Sequence, residues 1–337
     1  MATIKEVAER AGVSPATVSR VLTGTVAVSQ PYRERVLNVV AELDYRPNLL
    51  ASNLRRQKTH KIGVVVTDIE NPTFSQAIRV IEEVAYRQGF RVLLCNSEDQ
   101  PEKQRTYLET LADERVEGII LVPYLSDDPE ISDVIDRGIP LVAFDRPVTD
   151  PRADAVIADD LEVGRRATQI LIDAGHRRIG FVSGMRAIKP GGDRLAGYEA
   201  AMRAHGFEPL VASGEFHVAE ARAATEELLD TAGGITGLVI ASNLMTIGGW
   251  QAIRSRGIRV PDELAVVAIG DPWWTELLEP PLTAFAQPVR RMAEMAVSLL
   301  FERIAGTRTQ ARCVVYGFEL RFRGSCGTPA GLPWDQR

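Results

Sequence analysis

The stretch TIKEVAERAGVSPATVSRVL, residues 3–22, decides how the first part of the chain folds. Thr3, with Glu6 three residues on, makes a capping box, in which hydroxyl and carboxylate each satisfy an N–H of the first helical turn. Ile4, Val7, Ala8 and Ala11 recur at helical spacing and give one buried stripe. Gly12 stops that helix and Val13 anchors the turn. Ser14 then supplies a new N-cap, and Pro15 takes the first helical position, where its missing N–H costs nothing. A second helix through residues 16–22, ending near Gly24, turns Val18, Val21 and Leu22 inward and leaves Ala16 and Arg20 together on the opposite face. Ser29 and Pro31 open a third helix, with Val36, Val39, Val40 and Leu43 as its stripe.

Two short helices joined by a tight turn are a helix-turn-helix pattern, whose second helix lies in the major groove. Arg20 can donate twice to a guanine edge and the Ala16 methyl can touch thymine. Ser14, Thr17 and Ser19 are short donors suited to phosphates, which position without specifying. A three-helix bundle used for protein contacts would carry the same stripes. In that bundle the Gly12 turn, the Ser14-Pro15 start and the exposed Arg20 would all be coincidence. Residues 1–60 also hold nine Lys/Arg against five Asp/Glu, a net of +4, which leaves −10 on the rest of a chain whose total is −6. A basic head on an acidic body points to a polyanion partner for the head alone.

Residues 3–8, 11–14 and 16–22 together resemble the headpiece of the lactose-repressor (LacI/GalR) family, and Tyr45-Arg46-Pro47-Asn48 and Leu54-Arg55-Arg56 continue the resemblance. The resemblance implies a DNA-contacting set of Thr3, Ser14, Pro15, Ala16, Thr17, Ser19, Arg20, Ser29, Tyr45, Asn48, Leu54 and Arg55. It also implies a hinge helix, ordered on operator DNA, with Leu54 as an apolar wedge at a minor-groove step and Arg55 beside it. From the residues alone, a solvated basic linker is the favoured reading of the same segment, and the resemblance reverses that preference.

Beyond residue 60 the pattern changes to apolar runs at 62–66, 92–94, 118–123, 140–144, 156–158, 179–182, 238–241 and 264–269. Helical stretches intervene, for example at 75–88, 102–112, 164–174, 194–205 and 220–229. Such alternation predicts an α/β body of two doubly wound parallel sheets, with ligands bound beyond the carboxyl ends of the strands. Aromatic rings, carboxylates, an amide and arginines follow those strands, a set suited to a sugar's hydroxyls and its apolar ring face.

The resemblance extends through Gly175-His176-Arg177-Arg178-Ile179-Gly180, Asp193-Arg194-Leu195-Ala196-Gly197-Tyr198 and Pro280-Pro281-Leu282-Thr283. It implies a periplasmic-binding-protein-like core of two lobes, with the chain crossing between them near 160, 289 and 320. Its implied effector contacts are Phe74, Asp145, Arg194, Phe216, Asn243 and Asp271, with Arg194 and Asp271 foremost; Asn71, Arg146 and Trp273 join the candidate set by their places just after strands. Trp273 and Trp274 read equally as packing residues. Three positions depart from the common pattern: Leu244, Pro272 and Ile188. The last stands where a purine-responsive member has arginine, which argues against a purine.

The expected organisation is a headpiece over 1–46, a hinge over 47–60, a core over 61–326 and a tail over 327–337. The core divides into one lobe of 61–160 and 290–320 and a second of 161–289 and 321–326. An enzyme is disfavoured: the first strand continues as Thr67-Asp68-Ile69-Glu70 rather than G-x-G-x-x-G, there is no P-loop, and His60, His176, His205 and His217 show no metal spacing. No catalytic residue, metal or cofactor is expected. An exported sugar-binding protein is the other rival, but the first residues lack the apolar run of a secretory signal. Three cysteines, Cys95, Cys313 and Cys326, suit a reducing cytoplasm, and no apolar run is long enough to span a membrane. The reading is therefore a dimeric cytoplasmic repressor of a pseudo-palindromic operator, switched by a small molecule, a carbohydrate.

Overall fold

The structure, a computed structural model, describes residues 2–23, 28–45 and 59–327. The expectations for the hinge, with Asn48, Leu54 and Arg55, and for all but the first residue of the tail lie outside them. The chain divides into two compact units, residues 1–59 and 60–337.

The first unit holds α1 (Ile4–Ala11), α2 (Pro15–Thr23) and α3 (Gln30–Glu42). Thr3 closes the capping box: the Glu6 N–H donates to Thr3 Oγ1 at 3.3 Å, and the Thr3 N–H donates to Glu6 Oε2 at 2.7 Å. Gly12 ends α1 at φ +64°, a left-handed turn that a side chain would strain. Val7, Ala8, Ala11, Val18, Val21 and Val36 bury together, with Ile4, Leu22, Val39, Val40 and Leu43 packed around them. The stripes read from spacing thus meet in one small core.

In the second unit, one sheet has the order β11–β5–β4–β3–β1–β2, built from β1 (Lys61–Val66), β2 (Arg91–Asn96), β3 (Ile119–Leu121), β4 (Leu141–Asp145), β5 (Asp154–Ala158) and β11 (Cys313–Tyr316). The other has the order β12–β10–β9–β8–β6–β7, built from β6 (Ile179–Ser183), β7 (Leu210–Ser213), β8 (Gly237–Ile240), β9 (Ala265–Ile269), β10 (Thr283–Ala286) and β12 (Glu319–Arg321). Among the described residues all pairings are parallel except β10 with β12.

The connecting helices are α4 (Pro72–Arg87), α5 (Pro101–Asp113), α6 (Pro129–Asp136), α7 (Asp160–Asp173), α8 (Lys189–Ala204), α9 (Val218–Asp230), α10 (Asn243–Ser255) and α11 (Val289–Ile304). β1 shows why its apolar run is unbroken. Ile62, Val64 and Val66 face a core shared with α4, while Val65 turns to the opposite core with Leu108, Leu111 and Ile131. A strand covered on both faces has no polar side to alternate with. No helix among the described residues is long and apolar enough to cross a membrane.

The chain passes between the sheets three times. It leaves the first after β5, because α7 packs on α8 and β9. It returns after β10, because α11 packs on α4, β4 and β5. It leaves again between β11 and β12. The strands β7, β10, β11 and β12 have no counterpart among the apolar runs. They are only three or four residues long, and β11 and β12 lie at sheet edges with alternating exposure.

Candidate functional site

In the first unit, Ser14, Pro15, Ala16 and Arg20 are exposed at the start and along one face of α2, with Thr17 and Ser19 half-buried beside them. Ser14 holds the start of the helix: its Oγ accepts from the Thr17 N–H at 3.2 Å and lies 3.0 Å from Thr17 Oγ1. Thr3 and Ser29 stand at the N-caps of α1 and α3. Tyr45 is half-buried and packs against the headpiece core, which gives it a structural part before any phosphate contact. Arg20 is exposed on the second helix of the pair, the element that enters the major groove in a helix-turn-helix.

In the second unit, a cavity of about 270 Å³ lies where the carboxyl ends of both sheets converge. Thr67 follows β1, Glu98 and Asp99 follow β2, Asp145 and Arg146 end β4, Phe216 and His217 follow β7, Ser242 and Asn243 follow β8, and Gln287 follows β10. Asn71 and Phe74 come from the first turn of α4 and its cap, Arg194 from α8, and Phe318 from the third crossing. Seven of the nine expected effector residues are therefore together: Asn71, Phe74, Asp145, Arg146, Arg194, Phe216 and Asn243.

Asp271 and Trp273 are not part of that wall. Asp271 accepts from Arg323 Nη1 at 2.6 Å and Nη2 at 2.9 Å, and also from the Thr275 hydroxyl at 2.5 Å. Its carboxylate ties β9 to the end of the chain through a bidentate pair. Trp273 sits on a short 3₁₀ turn and is 74% exposed. Thr67, Asp99, Gln287 and Phe318 belong to the cavity but were not among the expected contacts. Thr67 directly follows β1 and Asp99 stands in the turn after β2, both strands read correctly, so position alone could have found them. Gln287 and Phe318 follow β10 and β11, which spacing did not reveal.

The wall is held by specific pairs. Arg194 is buried; its Nε and Nη2 donate to Asp160 Oδ1 at 2.8 and 2.7 Å, and its Nη1 donates to the Ala241 carbonyl at 2.7 Å. Burial pushes the Asp160 carboxyl up to about 6, with Arg194 opposing and Asp145 adding to the rise. Arg146 Nη1 donates to Asp99 at 2.8 Å. Gln287 Nε2 donates to Asp145 Oδ1 at 2.8 Å, and Asn243 Nδ2 donates to Thr73 Oγ1 at 2.9 Å, so two hydrogen bonds span the lobes.

Among the described residues, three buried polar atoms of the wall have no partner: Thr67 Oγ1, Arg146 Nε and Asn243 Oδ1. Buried polar groups are nearly always satisfied, and leaving one unmade costs about 1–3 kcal/mol. Four non-glycine wall residues, Glu98, Asp99, Asp145 and Phe216, also hold φ between +51° and +66°. Such strain is concentrated where ligands are clamped. Two glycines make room for the wall: a Cβ on Gly270 would stand 1.9 Å from Asn243 Oδ1, and one on Gly184 would stand 2.1 Å from the Phe216 ring.

The family model of bacterial regulatory proteins of the lacI family matches residues 3–48, and that of a periplasmic binding protein-like domain matches residues 168–326. The HTH-type transcriptional repressor PurR of Mannheimia succiniciproducens is 32% identical over 330 residues, covering 96% of this chain and 98% of that protein. A solved complex of the transcriptional regulator CelR with cellobiose is 32% identical, covers 96% of this chain and 100% of its own, and superposes with a TM-score of 0.73. The lac repressor dimer bound to operator and the anti-inducer ONPF is 26% identical, covers 97% and 99%, and superposes with a TM-score of 0.86.

Proposed function

The chain belongs to the lacI family of bacterial regulatory proteins, transcriptional regulators and not enzymes, and from that premise we propose that it is a cytoplasmic repressor that binds a pseudo-palindromic operator as a homodimer under the control of a carbohydrate effector. The observation that carries the effector half is the cavity with its three unpartnered buried atoms, a donor, an acceptor and a hydroxyl that is both. A polyol satisfies such a set, because each of its hydroxyls donates and accepts. Phe74, Phe216 and Phe318 supply rings for the apolar face of a sugar. The likeness to a regulator solved with cellobiose supports the same reading.

The headpiece supports the operator half. Arg20 reads a guanine edge from the major groove, Ala16 touches a neighbouring base, and Ser14 and Thr17 steady the phosphates. A two-fold dimer, as in the operator-bound lac repressor, requires inverted half-sites. The hinge, with Leu54 as the wedge and Arg55 as the adjacent side chain, completes the contact in the minor groove, and Asn48 belongs to the same DNA-contacting set.

The coupling runs through the crossings. Asp160 begins α7 just after the first and holds Arg194, Gln287 lies at the second, and Phe318 lies at the third. A ligand in the cavity therefore meets the second and third crossings directly and the first through Arg194. An effector shifts the balance only by its differential affinity for the two lobe arrangements.

The test is selection of duplexes from a random pool by the full chain, followed by anisotropy titration with and without sugars. A palindromic consensus is expected. Arg20→Ala should lose about 1–3 kcal/mol of discrimination at one symmetric base position. Equal loss on every duplex would remove base readout from Arg20, and no preferred duplex at all would end the operator reading.

A further inference from the structure

Resting on the effector reading above, we propose that the cavity takes an uncharged polyol of monosaccharide size and rejects its phosphorylated or acidic counterpart. Both arginines on the wall are already neutralised. Arg194 faces Asp160 through Nε and Nη2, and its Nη1 is taken by the Ala241 carbonyl. Arg146 faces Asp99 through Nη1, which also reaches the Pro123 carbonyl at 3.3 Å; its Nε is left as a donor for a neutral hydroxyl, with the charge of the group offset by Asp99. The remaining basic wall residue, His217, is exposed.

Carboxylates on the wall outnumber guanidiniums. Asp68, Glu98, Asp99 and Asp145 all line it, with Asp160 directly behind Arg194. Glu98 is met by Lys103 at 2.5 Å from outside the wall. Asp145, buried and at the strand end, has only the neutral Gln287 amide on its Oδ1. A phosphate or uronate would therefore bring a further negative charge toward the buried Asp145 and Asp160, where each wall guanidinium is already offset by a carboxylate. Like charges placed together in such a site are strongly disfavoured.

Size points the same way. At about 270 Å³ the cavity falls just below the roughly 300–1,000 Å³ of pockets that take drug-sized ligands.

The experiment is calorimetric titration of the full chain, with melting-temperature shifts as a second readout. The probes are ribose, xylose, glucose, galactose, mannose and fructose, their 5- or 6-phosphates where these exist, glucuronate and galacturonate, and cellobiose. At least one neutral monosaccharide should bind, and its charged counterpart should bind about a hundredfold more weakly or not at all. Asp99→Asn, which frees Arg146, should narrow that gap by about tenfold. A phosphate or uronate that binds as tightly as the parent sugar overturns the inference while leaving the effector reading intact, and an unchanged gap in Asp99→Asn overturns its electrostatic basis. Cellobiose binding more tightly than every monosaccharide overturns the size limit. If no sugar of any kind binds, the carbohydrate reading fails and this inference fails with it.

Discussion

Asp160 shows how one side chain ties the cavity to the stability of the fold. It is 4% exposed, lies beside Arg194, and titrates near 6 because burial outweighs the pairing. In the unfolded chain an aspartate titrates near 3.9. Between those values the folded protein holds a proton that the unfolded chain has released, so stability falls as pH rises from about 4 to about 6. The effect amounts to about 3 kcal/mol at 1.36 kcal/mol per unit. Urea unfolding of wild type and Asp160→Asn across that window is the check: relative to wild type, the variant should gain stability as pH rises, and parallel curves would mean that Asp160 ionises at the same pH in both states. Removing Arg194 instead would leave a buried carboxylate unpaired, so the same residue serves the wall and the fold. Asp271, foremost among the expected contacts, illustrates the limit of reading at this scale. Its partner Arg323 lies 52 positions away, and nothing in the local pattern reveals that the carboxylate is already engaged.

At the scale of elements, helix boundaries were legible because capping is local chemistry. The Thr3–Glu6 box, the left-handed Gly12 and the Ser14 cap all stand where the residues place them. Short edge strands were not legible. β11 alternates exposed and half-buried residues over four positions, and what holds it lies elsewhere in the chain. Asp154, fully buried at the start of β5, accepts from Arg303 Nε at 2.9 Å, from Arg308 at 2.7 and 2.8 Å, and from the Arg312 N–H at 2.7 Å. Burial opposes its charge, yet Arg308, Arg303 and that N–H together hold its carboxyl below the usual range. The cluster staples β5 to α11 and to the entrance of β11. Asp154→Ala leaves two cations facing an empty socket and should cost about 3–5 kcal/mol, read by chemical denaturation. A melting curve like that of wild type would show that the parallel pairing of β5 with β11 needs no staple.

For the whole molecule, the proposed function makes the effector cavity and the operator surface two linked sites. Linkage is reciprocal: if a sugar changes operator affinity by some factor, operator DNA must change sugar affinity by the same factor, typically about 5–150-fold. Titrating the sugar against free and operator-bound protein measures both arms. Unequal factors at equilibrium would mean that the sugar acts at more than one site. The charge division fits the same picture, since a +4 head approaches a polyanion while the −10 remainder does not compete for it.

Residues 3–22, the alternation after residue 60 and the uneven charge were enough to determine a helix-turn-helix head and an α/β body. Periodicity and capping act over a few residues and survive any later folding. Which side chains reach the cavity was decided only by tertiary structure. Its wall is assembled from strand ends of two sheets, threaded together by three crossings, so Gln287 meets Asp145 across 142 positions while Asp271 turns away to Arg323. Hydrophobic spacing says that a residue leaves a strand. Only packing says which neighbour is waiting for it.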